Sequence, residues 1–180
     1  MKRTLSLCLI GCAALSTPAF AESDLYVAGG YSLIDGNGVT PNTFTARAGG
    51  SFNDYFGVEV EGAFGGEPDT PDGLAGVEIS VESQIGAYLV GKYPVTDRFD
   101  VRARVGYAEF EFEGDFNGVV ESATFDGFAA GVGGEFMITE NFGLIGDVTH
   151  YEVEGGLEFD QGFQTFTFGG ILKFGLSGEE

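Results

Sequence analysis

The sequence predicts an all-β fold: an eight-stranded antiparallel up-and-down transmembrane β-barrel. Three observations predict it. Apolar and polar residues alternate with a period of two along nearly the whole chain. Turn-forming segments cut it into an even number of strands joined by alternately long and short connections. One face of that alternation is apolar and aromatic, while the other gathers the few cations beside acids.

The 180 residues include 8 basic and 28 acidic side chains, for a net charge of -20. The length suits one domain. A hydrophobic content of 43% excludes an acidic disordered tail. The charge excludes a nucleic-acid partner, because nothing here neutralises a run of phosphates. The 31 glycines follow no G-X-Y period, which excludes collagen.

Residues 1–21 read as an address. Met1-Lys2-Arg3 is a charged start, Leu5 to Leu15 is an apolar run, and Pro18-Ala19-Phe20-Ala21 ends in an A-x-A site. The expectation is a signal peptide cleaved after Ala21, leaving residues 22–180 as the barrel domain. A competing signal is Leu9-Ile10-Gly11-Cys12, a lipoprotein-like box that would put a lipid on Cys12. Both cysteines, Cys8 and Cys12, lie in this segment, so the mature chain carries no thiol chemistry. Cleavage removes Lys2 and Arg3 and no acid, which takes the net charge to -22.

The strands fall at 24–33, 43–52, 55–64, 77–92, 99–112, 123–138, 142–154 and 162–176. Residues 34–42, 65–76, 113–122 and 155–161 form the longer connections. Asn53-Asp54, residues 93–98 and Thr139-Glu140-Asn141 form the short ones. Asn, Asp and Gly supply the turn geometries. Pro41, Pro68, Pro71 and Pro94 all fall outside these strands, where they remove no ladder bond. Short turns then face the periplasm and long loops face outside.

Parity decides between membrane and water. Strand two sets Phe44, Ala46, Ala48, Gly50 and Phe52 against Thr45, Arg47, Gly49 and Ser51. Strand three sets Phe56, Val58, Val60 and Phe64 against Gly57, Glu59, Glu61 and Ala63. Strands four, five and eight alternate likewise. A soluble barrel buries the apolar face, and an outer-membrane barrel turns it to lipid.

Three features favour lipid. The polar face collects a charge network of Arg47, Glu59, Glu61, Glu82, Arg102, Arg104, Glu135, Asp147 and Lys173, as a narrow lumen requires, because buried charges need partners. That face is rich in small residues such as Gly57, Gly86, Gly106 and Gly133, as a side-chain-filled lumen requires. Aromatics such as Tyr31, Phe64, Tyr93, Tyr107 and Phe136 cluster near strand ends, as girdles do. Closure into one ring satisfies every strand edge within lipid, so the expectation is a monomer. The pattern is weaker in two places. In strand five Phe110 and Phe112 switch face after Ala108, which reads as a bulge above the membrane. In strand seven Ile145 falls inward and His150 outward.

These residues resemble the small outer-membrane β-barrel superfamily typified by the transmembrane domain of outer-membrane protein A. The resemblance covers residues 22–176 and rests on the signal peptide, Tyr93-Pro94-Val95-Thr96-Asp97-Arg98-Phe99, Ile138-Thr139-Glu140-Asn141-Phe142 and Val105-Gly106-Tyr107. It implies the outer membrane of a Gram-negative cell, outer-membrane lipid and lipopolysaccharide as surroundings, and assembly by the barrel-assembly machinery. Family members often end in an aromatic residue, whereas here Phe174 precedes Gly175-Leu176-Ser177-Gly178-Glu179-Glu180.

Little points to enzyme chemistry. His150 is the one histidine, no Gly-x-Ser-x-Gly elbow exists, and no His or Cys cluster suggests a metal or cofactor. The outer connections are acidic. Glu67, Asp69, Asp72, Glu111, Glu113, Asp115, Glu154, Glu158 and Asp160 form a candidate rim that attracts divalent cations, against the alternative of general surface acidity. The expected function is a non-enzymatic barrel serving envelope integrity or surface interaction. A narrow ion or solute pore, a lipid-modifying enzyme and a soluble periplasmic ligand-binding barrel are the alternatives.

Overall fold

The structure is a computed structural model that describes residues 24–35, 41–65, 77–116, 119–154 and 162–175. The proposed leader and much of the longer connections lie outside these residues. Eight strands follow one another: β1 (Asp24–Asp35), β2 (Asn42–Ser51), β3 (Phe56–Phe64), β4 (Val77–Thr96), β5 (Phe99–Phe116), β6 (Val119–Met137), β7 (Phe142–Glu154) and β8 (Phe163–Gly175). Each pairs antiparallel with its neighbours, and β8 closes onto β1.

The three short turns share one device. Asn53 Oδ1 accepts the backbone N–H of Tyr55 at 2.9 Å and of Phe56 at 2.8 Å. Thr96 Oγ1 accepts those of Arg98 at 3.3 Å and Phe99 at 3.0 Å. Thr139 Oγ1 accepts those of Asn141 at 3.4 Å and Phe142 at 3.0 Å. A side-chain oxygen thus satisfies two N–H groups at each reversal, which is why Asn or Thr opens each turn.

The ladder registers define the barrel. A row perpendicular to the strands runs Leu25, Gly50, Val58, Leu89, Val105, Ala130, His150, Gln164 and back to β1 at Asp35. One circuit therefore climbs from position 25 to position 35, a shear of ten. Eight strands with this stagger tilt by about 40° and leave an interior that side chains fill.

The outward face is apolar. Val60, Leu89 and Val132 are 57%, 62% and 65% exposed, which no water-facing core would allow. Going outward along six of the strands, the outer face turns polar after an apolar or aromatic residue. Leu33 gives way to Asp35, Phe44 to Asn42, Ile85 to Ser83, Tyr107 to Glu109, Phe128 to Asp126 and Phe166 to Gln164. Phe52, Tyr55, Phe56, Tyr93, Phe136, Phe142 and Phe174 mark the opposite boundary. The result is an apolar band between two aromatic girdles.

Several expectations are corrected. Glu82 is not luminal. A register shift between Val81 and Ser83 leaves it unpaired and exposed, while Val81 turns inward at 3% exposure. The bulge thus sits on β4, not on β5. On β5 the alternation never breaks: Phe110 shares the inward face with Ala108 and is 0% exposed. What changes there is the chemistry of the lumen, from ionic to aromatic. Residues 113–122 are not a long loop either, because β5 and β6 stay paired to Phe116↔Val119. Pro94 lies inside β4, beside a second register shift between Pro94 and Thr96, where the ladder is about to end.

Candidate functional site

The interior is built around two carboxylates on β3. The alternation of β3 points Glu59 and Glu61 inward, where they are 1% and 3% exposed. Buried carboxylates hold their charge only with donors around them. Glu61 Oε2 accepts from Arg47 Nε at 2.6 Å and Arg104 Nη1 at 2.6 Å. Its Oε1 accepts from Gln84 Nε2 at 2.7 Å, Tyr88 Oη at 3.1 Å and Tyr151 Oη at 3.3 Å. Glu59 accepts from Tyr26 Oη at 2.8 Å, Arg102 Nη2 at 2.9 Å and Arg104 Nη1 at 3.1 Å.

The arginines complete the ring. Arg47 forks onto Asp147 at 2.5 Å and 3.1 Å. Arg104 donates to Thr149 Oγ1 at 2.9 Å and 2.7 Å. The Arg102 and Arg104 guanidinium carbons lie 5.1 Å and 4.4 Å from the ring centres of Tyr26 and Tyr88. Near the periplasmic mouth Lys173 pairs with Glu135 and lies 3.9 Å from Asp100, while Lys92 donates to Ser51 at 2.6 Å.

Among the described side chains, the inward charges balance. Arg47, Lys92, Arg102, Arg104 and Lys173 face Glu59, Glu61, Asp100, Glu135 and Asp147. Among the described residues the excess negative charge therefore lies outside the lumen. Two gaps beside the arginines hold about 10 Å³ each. That is room for about one water apiece.

Above the ions the lumen is sealed by aromatics. Phe110 meets Tyr151 at 4.8 Å and Phe163 at 4.9 Å, both edge to face. Ile145 packs with Tyr26 and Ile171 lower down. The tyrosines need small neighbours. A Cβ on Gly86 would meet the Tyr88 hydroxyl at 2.7 Å, one on Gly106 would meet the Tyr88 ring at 2.7 Å, and one on Gly49 would strike the Tyr26 ring.

The structure brings together eight of the nine residues expected in the lumen, all but Glu82. Strand parity in the sequence sets Gln84 and Tyr88 on the polar face, but sequence reasoning left them, with Tyr26, Thr149 and Tyr151, out of the charge network. Their signal was parity: each lies on the inward alternation of its strand, and the tyrosines stand beside glycines. Of the rim acids, Glu111 and Glu113 are half-buried on the outer wall of β5. Asp115 lies on β5 and Glu154 on β7, while Glu67, Asp69, Asp72, Glu158 and Asp160 lie outside the described residues. Among the described residues no group of three His, Cys, Asp or Glu is arranged to hold a metal ion. His150 is exposed on the outward face, paired in the ladder with Ala130 and Gln164.

Known proteins share this architecture. Solved structures with the same fold include Ail, the attachment invasion locus protein of Yersinia pestis, with 16% identity, 86% of this chain and 99% of that one covered, and a TM-score of 0.58. The N-terminal β-barrel domain of Pseudomonas aeruginosa OprF matches with 13% identity, 84% and 97% coverage and a TM-score of 0.61. Neisserial surface protein A matches with 12% identity, 84% and 97% coverage and a TM-score of 0.58. A comparison with curated proteins gives no match. The sequence pattern of the outer membrane protein beta-barrel domain matches residues 5–174. With its lipid-facing valines, its two girdles and its closed ring, the chain belongs to the outer membrane protein β-barrel domain family and resides in the outer membrane of a Gram-negative cell.

Proposed function

We propose that the protein is a non-enzymatic barrel that supports envelope integrity and makes contacts at the cell surface, with a lumen closed to solutes. The observation that carries this reading is the Glu61 cluster, in which five side chains converge on one buried carboxylate and fill the axis. A pore or a luminal ligand site needs open volume, and the gaps beside the arginines hold about one water each. In this reading residues 1–21 are removed on export, residues 22–180 form a monomeric barrel, and Phe174 near the end of β8 presents the assembly signal.

The partner chemistry follows charge. The Ail structure is also known in complex with the heparin analogue sucrose octasulfate. Here the outer wall presents Glu109, Asp126 and Glu152, so a polysulfated ligand meets repulsion. Cationic partners suit this surface, as do divalent cations bridging the rim to lipopolysaccharide phosphates. Loop NMR shifts during calcium titration test the cation reading, and an unchanged spectrum at millimolar calcium removes it.

The test of the main reading has two parts. Membrane fractionation with heat-modifiable gel mobility should give a compact band that shifts on boiling. Planar bilayers containing the folded protein should show no discrete conductance. Stable unitary currents abolished by Arg104→Ala would replace the closed barrel with a narrow pore.

A further inference from the structure

The lipid-facing wall is not smooth. Two neighbouring register rows cross it from β3 to β7. One runs Val58, Leu89, Val105, Ala130 and His150, and the other Val60, Ala87, Tyr107, Phe128 and Glu152. Each row holds one alanine among larger side chains. Between the rows lies a recess of about 770 Å³, within the size range of sites that hold small molecules. Tyr107 and Phe128 form its outer wall, set edge to face at 5.3 Å, and the Tyr107 hydroxyl donates to Asp126.

The shear gives the recess a direction. Rows perpendicular to the strands climb outward as the strand number rises. Four strand spacings span about 19 Å of wall. A tilt of about 40° turns that span into a rise of about 12 Å. One leaflet of hydrocarbon is about 15 Å deep. The recess therefore has the reach of a single acyl chain, with its deep end at Val58 and its mouth at His150 and Glu152.

The mouth carries specific chemistry. His150 and Glu152 are exposed and share the outward face of β7. Glu152 stands opposite Phe128, which makes Asp126 its diagonal neighbour on β6. At a diagonal spacing of about 7–8 Å, one ammonium group fits between the two carboxylates. His150 offers a ring N–H about 7 Å along the strand, where an anion two bonds beyond the amine carbon would sit. A head that joins a phosphate to a primary amine matches this order. An anionic head without an amine meets repulsion, because Glu109 stands opposite Asp126 at the same mouth.

A second recess supplies the contrast. It holds about 410 Å³ and is bordered by Tyr31, Leu33, Val148 and Phe166. The outward side chains around it carry no charge, so it takes a lipid chain without choosing the head.

We propose that the recess from Val58 to Glu152 seats one acyl chain of an ethanolamine phospholipid, whose ammonium is held by Glu152 and Asp126 and whose phosphate faces His150. This goes beyond the closed-barrel reading and does not depend on the state of the lumen.

The test folds the full chain into nanodiscs of equal parts phosphatidylethanolamine, phosphatidylglycerol and phosphatidylcholine. Lipids still bound after transfer to mild detergent are counted by native mass spectrometry. Phosphatidylethanolamine should be retained about fivefold over either of the others. Glu152→Gln with Asp126→Asn should abolish that preference, and so should Ala130→Phe, which fills the floor of the recess. Gly146→Leu, which fills the second recess, should leave it unchanged, since a Cβ there meets nothing closer than 3.8 Å. Each variant is read with its heat-modifiable mobility intact, and Ala130→Leu replaces Ala130→Phe if the larger ring prevents folding. Equal retention of the three lipids overturns the proposal. So does phosphatidylcholine held as well as phosphatidylethanolamine, because its quaternary head has charge but no N–H to donate. A preference that survives the double carboxylate substitution, or that Gly146→Leu removes, places the lipid elsewhere on the wall and overturns it too.

Discussion

Arg47 on β2 and Asp147 on β7 form a forked ion pair at 2.5 Å and 3.1 Å, although β1 and β8 stand between their strands. Ladder hydrogen bonds tie each strand only to its neighbours. This pair ties together strands that share no ladder. It sits in one network with Glu61 and Arg104, which lies 3.5 Å from Asp147. The charges are buried, so removing one unbalances the network in a poorly solvating interior.

Asp147→Asn should therefore destabilise the folded barrel by about 3 kcal/mol. Urea unfolding in lipid vesicles measures it. Adding Arg47→Met should recover part of the loss, because the excess positive charge is then gone while Glu61 keeps Arg104. Independent, additive effects of the two substitutions would show that the pair is not coupled.

Tyr88 separates hydrogen bonding from packing. Tyr88→Phe removes the donor to Glu61 Oε1 and keeps the ring, and should cost about 1–2 kcal/mol. Gly106→Ala keeps the hydroxyl but pushes a methyl against the ring and the Ala87 carbonyl, and should cost about 1–3 kcal/mol. Unfolding midpoints of the two variants decide. A neutral Gly106→Ala would mean that both the ring and the backbone at Ala87 have room to shift.

The lipid boundary can be located by scanning arginine. Val105 lies outward in the apolar band and is 55% exposed. Val105→Arg should cost about 2–4 kcal/mol in vesicles. Four residues further out, Glu109→Arg should be nearly neutral, because that position lies above the Tyr107 girdle. Equal costs at both positions would move the boundary or deny it.

Glu82 and Glu61 make a matched contrast. Glu82→Gln should change stability by no more than about 0.5 kcal/mol, since Glu82 is exposed on the bulge. Glu61→Gln should cost about 3–5 kcal/mol, because Arg47 and Arg104 lose their shared charge. A large effect at Glu82 would put it back among the luminal charges.

Much of this was readable in the one-dimensional pattern. Period-two alternation set which residues of β2, β3 and the lower β5 face lipid, because a pleat admits only two sides. Asn53, Thr96 and Thr139 marked the short turns through local hydrogen bonds. Where alternation stays regular, parity places a side chain without knowledge of its neighbours.

Parity fails at a bulge. One extra residue at Glu82 reverses the phase of everything beyond it, and nothing in Val-Glu-Ser announces that residue. Hydrophobicity misled at Phe110, because an aromatic belongs equally well on a lipid-facing wall or in a sealed lumen.

The sequence by itself determined the fold class, the apolar belt and most of the luminal charges, since each depends on alternation and composition along a strand. Only the tertiary structure decided the shear of ten, the pairing of Arg47 with Asp147, the tyrosines around Glu59 and Glu61, and the bulge at Glu82. These depend on which residue of one strand stands beside which residue of another, and that register is set by the closed ring as a whole.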